Sequence, residues 1–188
     1  MNTQQTVTTE VIGGTYYEHQ QHAVAQQNLQ VLTFILGQET YGLDILRVQE
    51  IRGWEPTTKL PETPEYVKGV INMRGAVVPI VDLRDRFGIG GATYDDSTVV
   101  IITRLLNSDT AKTIGLVVDG VSDVEDIDVS QLQAVPSFSG AGKINEQYIQ
   151  GLANLKDSDA TLNKMVIVLN VDALILQGIF NNMDATTL

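Results

Sequence analysis

A catalytic reading needs side chains that trade protons or bind metal near neutral pH, and this chain is poor in them. Cysteine is absent, and both histidines, His19 and His22, stand close to the N-terminus. From Ala23 onward there is no imidazole and no thiol. That removes the commonest general base, the Ser-His-Asp arrangement and most zinc sites together. His19 and His22 are spaced to meet on one helical turn, yet a metal needs further ligands and none is near; we read them as solvated. The densest acidic cluster is Asp119, Asp123, Glu125, Asp126 and Asp128. It lacks the D-x-[DN]-x-[DN]-G spacing of a calcium loop. Val121, Val124 and Ile127 are interspersed with the acids, which suits an edge strand protected by charge. A glycosidase-like carboxylate pair is a question of distance, and Trp54 is the single tryptophan available to stack on a sugar. The Gly88–Ala92 stretch is not G-x-G-x-x-G and follows a helix-like segment, so it is no phosphate loop.

One polar pair stands out. Glu50 lies at the end of a strand-like run and Arg74 at a turn between strands. In a small barrel the two could meet, and an Arg–carboxylate pair would present a planar fork to a partner. Two unrelated surface charges, worth about 0–1 kcal/mol in contact, account for the pattern equally well.

The elements that must position these residues are short and β-rich. The sequence repeats itself: Tyr66-Val-Lys-Gly-Val-Ile-Asn-Met-Arg74 returns as Tyr148-Ile-Gln-Gly-Leu-Ala-Asn-Leu-Lys156. A strand-like run follows each copy, and Tyr41-Gly-Leu43 and Ile114-Gly-Leu116 precede them. Two copies indicate two like subdomains rather than a solenoid. Strands are expected at Leu29–Leu36, Tyr41–Asp44, Leu46–Arg52, Gly69–Arg74, Ala76–Val81, Thr98–Leu105, Thr113–Val118 and Gly120–Ile127. Asp82 to Phe87 reads as a short helix capped by Asp82 and stopped at Gly88. Residues 136–143 read as a flexible loop, and Val171 through Phe180 as a helix. Many short strands with Gly and Pro turns make the fold class all-β, with small helices.

The formal net charge is −11, which opposes a nucleic-acid surface. The excess is uneven: residues 93–188 carry 13 Asp and Glu against 5 Lys and Arg, whereas residues 29–92 carry 8 against 7. Residues 1–28 are rich in Thr and Gln, lack Lys and Arg, and read as a disordered polar tail. No secretory signal is visible, and the apolar stretch Met165–Leu176 falls short of the roughly 20 residues of a membrane span. The expectation is a cytoplasmic protein with no membrane insertion, no metal and no cofactor.

Tyr41-Gly-Leu-Asp-Ile-Leu-Arg-Val-Gln-Glu-Ile-Arg-Gly53, Gly69-Val-Ile-Asn-Met-Arg-Gly75, Val78-Pro-Ile-Val-Asp-Leu-Arg84 and Gly115-Leu-Val-Val-Asp-Gly-Val-Ser-Asp-Val124 together resemble the CheW family, the coupling proteins of bacterial chemotaxis. The resemblance covers about Leu29 to Leu176. It implies two SH3-like five-stranded β-barrel subdomains packed side by side, at about 29–92 and 93–170, with a C-terminal helix at about 171–180, all within a domain spanning 29–177. It implies a non-catalytic adaptor that links the cytoplasmic tip of methyl-accepting chemoreceptors to the histidine kinase CheA, whose own CheW-like regulatory domain is the kinase-side partner. The kinase-contact residues are not assigned. The receptor hairpin is expected in a groove between the subdomains, at Val48, Glu50, Ile51, Gly69, Arg74, Gly75, Val99 and Val100, with Glu50 and Arg74 in contact. Val99 and Val100 are strand neighbours, so one of them should face a core, and Gly69 could instead serve a bulge. Two other readings stand beside this one: a coupling module of another chemosensory array, controlling pili or transcription, and, remotely, a carboxylate-based hydrolase.

Overall fold

The computed structural model describes residues 28–90, 93–105, 112–136, 144–156 and 163–180. The expected tail, both histidines and nearly all of the 136–143 loop lie outside them; Asn28 already belongs to the first strand. Ten strands follow one another: β1 (Asn28–Leu36), β2 (Glu39–Asp44), β3 (Val48–Gly53), β4 (Val67–Met73), β5 (Ala76–Asp82), β6 (Val99–Arg104), β7 (Thr113–Val118), β8 (Gly120–Asp128), β9 (Ile149–Lys156) and β10 (Asn163–Leu169). Helix α1 (Leu83–Phe87) starts where Asp82 accepts the Arg84 and Asp85 N–H groups and stops at Gly88 in the left-handed region, as its sequence requires. Helix α2 (Val171–Ala173) widens into π-helical turns over Leu174–Phe180. The strand expected from Leu46 begins only at Val48. Asp44 accepts the Leu46 N–H at 2.9 Å and so caps a 3-10 turn, Ile45–Arg47, in its place.

Two five-stranded sheets form, in the orders β8-β1-β2-β10-β9 and β3-β6-β7-β5-β4. The expected split near residue 92 does not separate them. Each half of the chain gives its first two strands to one sheet and its next three to the other. The chain crosses over twice, between β2 and β3 and between β7 and β8. The parallel pairings β2·β10 and β5·β7 lock this exchange. They explain the repeated Gly in Tyr41-Gly-Leu and Ile114-Gly-Leu: a Cβ on Gly115 would stand 2.4 Å from Ile80 Cδ1, and one on Gly42 3.1 Å from Val166 Cγ1.

Each sheet closes on itself through the segment that leaves its edge strand. Thr58 and Val70 exchange both backbone hydrogen bonds (3.0 and 2.8 Å), as do Gln133 and Leu152 (2.9 and 2.8 Å). Gly69 sits in a bulge of β4 at φ 135°, where a Cβ would come within 2.3 Å of the Thr58 carbonyl oxygen. Its counterpart Gly151 would meet Leu132 Cβ at 3.1 Å. The glycine recurring in both repeat copies is therefore the place where a barrel shuts.

Period-2 alternation sorts the apolar side chains into three cores. Val31, Ile127, Val166 and Val168 fill one barrel. Val78, Ile80, Val100, Ile102 and Val117 fill the other. Leu32, Phe34, Leu43, Ile101, Leu116, Phe87, Leu174, Ile175 and Ile179, drawn from both sheets and both helices, fill the seam between them. The repeat's tyrosines meet there: the Arg86 guanidinium lies 5.2 Å from the Tyr66 ring centroid and 5.4 Å from that of Tyr148.

Candidate docking face

The β3·β6 register decides which candidate residues stand together. Val48 pairs with Thr103, Ile51 with Ile101 and Gly53 with Val99, while Glu50 pairs with Ile102 and Arg52 with Val100. Val48 and Ile51 are three residues apart and would face opposite ways on a regular strand. The bulge between Val48 and Glu50 inserts one residue and turns both to the same face. Val99 shares that face. Val48 and Val99 are half-buried against the seam core, and Ile51 is 44% exposed. The result is a shallow apolar rim at the junction of the barrels.

Other expected residues fall elsewhere. Val100 points into the β3–β7 barrel and is 4% exposed, so it supports the rim from behind. Gly69 is buried beneath Thr57 and Thr58. Glu50 lies on the other face of β3. Arg74 lies in the turn between β4, the opposite terminal strand of the same sheet, and β5. The expected Glu50–Arg74 contact is not made, because the turn that holds Arg74 aims it outward. Met73 pairs with Ala76, and Arg74 and Gly75 both have positive φ (53° and 90°), which defines a two-residue hairpin of the primed kind. Asn72 accepts the Gly75 N–H at 2.9 Å and fixes the turn. Arg74 and Gly75 are exposed at this tip.

Sequence reasoning passed over Leu46. It is 69% exposed, two residues before Val48, on the 3-10 turn that enters the rim. Its apolar type inside a run taken for a strand hid it. Arg47 beside it forms a bidentate pair with Asp172 of α2, at 2.8 and 2.7 Å.

Among the described residues no three Asp, Glu or His side chains converge as metal ligands. A hollow lined by Arg52, Trp54, Glu55, Ile71 and Val100 measures about 10 Å³, room for a single water at most. Asp119 and Asp128 of the acidic cluster serve local structure. Asp119 accepts the Gly37 N–H at 2.7 Å and pairs with Arg84 at 2.7 Å. Asp128 caps a turn through the Ser130 N–H and hydroxyl, which hold its carboxyl below the usual range. Asp123, Val124 and Asp126 lie exposed along β8, a terminal strand.

Two like barrels with a filled seam and an apolar rim define a protein-binding module. The CheW-like domain family matches residues 30–177. The chain is 41% identical over 144 residues to a chemotaxis protein CheW of Klebsiella aerogenes, covering 77% of this chain and 80% of that one. It is 32% identical over 149 residues to a probable chemotaxis protein CheW of Rhizobium etli, covering 79% and 88%. Among solved structures, the scaffolding protein TtCheW from Thermoanaerobacter tengcongensis superposes with a TM-score of 0.66 at 33% identity, over 81% of this chain and 91% of that one. The chain belongs to the CheW family.

Proposed function

We propose that this chain is the adaptor of a chemotaxis array, holding the cytoplasmic tips of methyl-accepting chemoreceptors to the histidine kinase CheA and catalysing nothing itself. It would work in the cytoplasm, recruited to receptors in the membrane. Relatives that are chemotaxis proteins over most of their length support the class of function. No helix among the described residues is long and apolar enough to cross a membrane.

The observation that carries the receptor assignment is the bulge that sets Val48 and Ile51 beside Val99 on one face. A helical hairpin tip offers an amphipathic ridge, and a shallow apolar strip can bury one side of it. Arg74, held at an exposed turn by backbone geometry, would set register and orientation more than affinity. Gly75 beside it would let the partner's backbone come close. Glu50 contributes as a separate charge, and Gly69 and Val100 hold the strands beneath.

The test is a pull-down on receptor-containing membranes. Arg74→Glu should weaken capture while its circular dichroism matches that of the parent. Undiminished capture would remove Arg74 from the docking face.

A further inference from the structure

The rim is reached through a short turn whose position is fixed from a distance. Arg47 donates two parallel hydrogen bonds to Asp172, on the first turn of α2, 125 residues away in sequence. The side chains are 15% and 26% exposed, so the pair is shielded from much of the solvent. Asp44 holds the other side of the turn by accepting the Leu46 N–H, and stands 3.7 Å from Arg47 Nε. Val171, Leu174 and Ile175 anchor the far partner in the seam core. With Ile45 packed on that core and Arg47 forked to α2, Leu46 between them is left pointing outward.

We infer that the Arg47–Asp172 pair is a positioning device: it presents Leu46 as the leading apolar contact of the docking face and makes the C-terminal helix part of the receptor site. The inference rests on the receptor-docking reading above. Leu46 is then a binding residue, whereas Arg47 and Asp172 act through it. A fork at two fixed distances restrains the turn in a way that a lone ammonium does not, so Arg47→Lys should fall between the parent and Asp172→Asn.

The experiment is a double-mutant cycle with the full chain, titrated with a synthetic helical hairpin that copies a chemoreceptor tip. Asp172→Asn should weaken binding roughly tenfold and Leu46→Ala by a similar factor, the scale of coupled neighbours. In the Leu46→Ala background, Asp172→Asn should then cost little more, because its effect runs through Leu46. Melting curves accompany each titration, and Arg47→Lys serves as the milder variant should Asp172→Asn unfold. Additive losses, or full affinity in Asp172→Asn or Arg47→Lys, would overturn the positioning role. Failure of the parent chain to bind the hairpin would instead overturn the docking reading, and this inference with it.

Discussion

Arg74 shows how a single residue can be kept against its own preference. A non-glycine side chain in the left-handed region is disfavoured by about 1–2 kcal/mol, and Arg74 holds φ 53° beside a glycine. Replacing it with glycine should leave stability unchanged or raise it by up to about 1 kcal/mol in denaturant titrations, while receptor capture falls. A drop in both would make Arg74 a folding residue instead. Tyr41 supplies a second test. Burial, and then the charge of Glu39, push its phenol from 10.0 to about 12. Folding therefore favours the neutral form. Its contribution is complete below pH 10 and disappears as pH climbs towards 12. Melting temperatures followed from pH 9 to 12 should fall less steeply for Tyr41→Phe than for the parent. The sequence nominated Val48, Ile51, Val99 and Arg74 through its resemblance to the CheW family rather than through residue types and spacings, and their part in docking is the proposal above. It could not place Glu50, because a bulge shifts every side chain beyond it and leaves no mark in the pattern.

Among the elements, the repeated glycines make the clearest forecast. Gly69 combines φ 135° with a carbonyl oxygen 2.3 Å from any Cβ, so Gly69→Ala should cost at least about 2 kcal/mol. Gly151 meets a side-chain carbon at 3.1 Å without a positive φ, so Gly151→Ala should cost about 1 kcal/mol. Chemical denaturation of the two variants checks the order. Strands, the α1 cap and the hairpin turn were legible because alternation, Asp82, Gly88 and Arg74-Gly75 are local signals. The exchange of strands between halves was not. Alternation tells which face of a strand is apolar, not which strand lies alongside it, and the parallel partners here are distant in sequence. Nor did the pattern explain why Tyr66 and Tyr148 recur; only the packed seam puts both rings on Arg86.

Across the whole molecule, the exchanged topology makes the two barrels one folding unit. Neither half of the chain holds a complete sheet, so a fragment ending at residue 92 should show no cooperative melt alone and gain one when mixed with the remainder. Such an interlocked body suits an adaptor, since a rigid seam keeps surfaces on the two barrels in fixed relation. The most direct measurement of the central claim is kinase autophosphorylation with radiolabelled ATP, using CheA, receptor-containing membranes and this protein in every combination. Phosphorylation should rise well above the kinase's own rate only when all three are present, and Ile51→Asp should abolish the rise without unfolding the chain. An equal rate without the protein, or full stimulation by Ile51→Asp, would contradict the account.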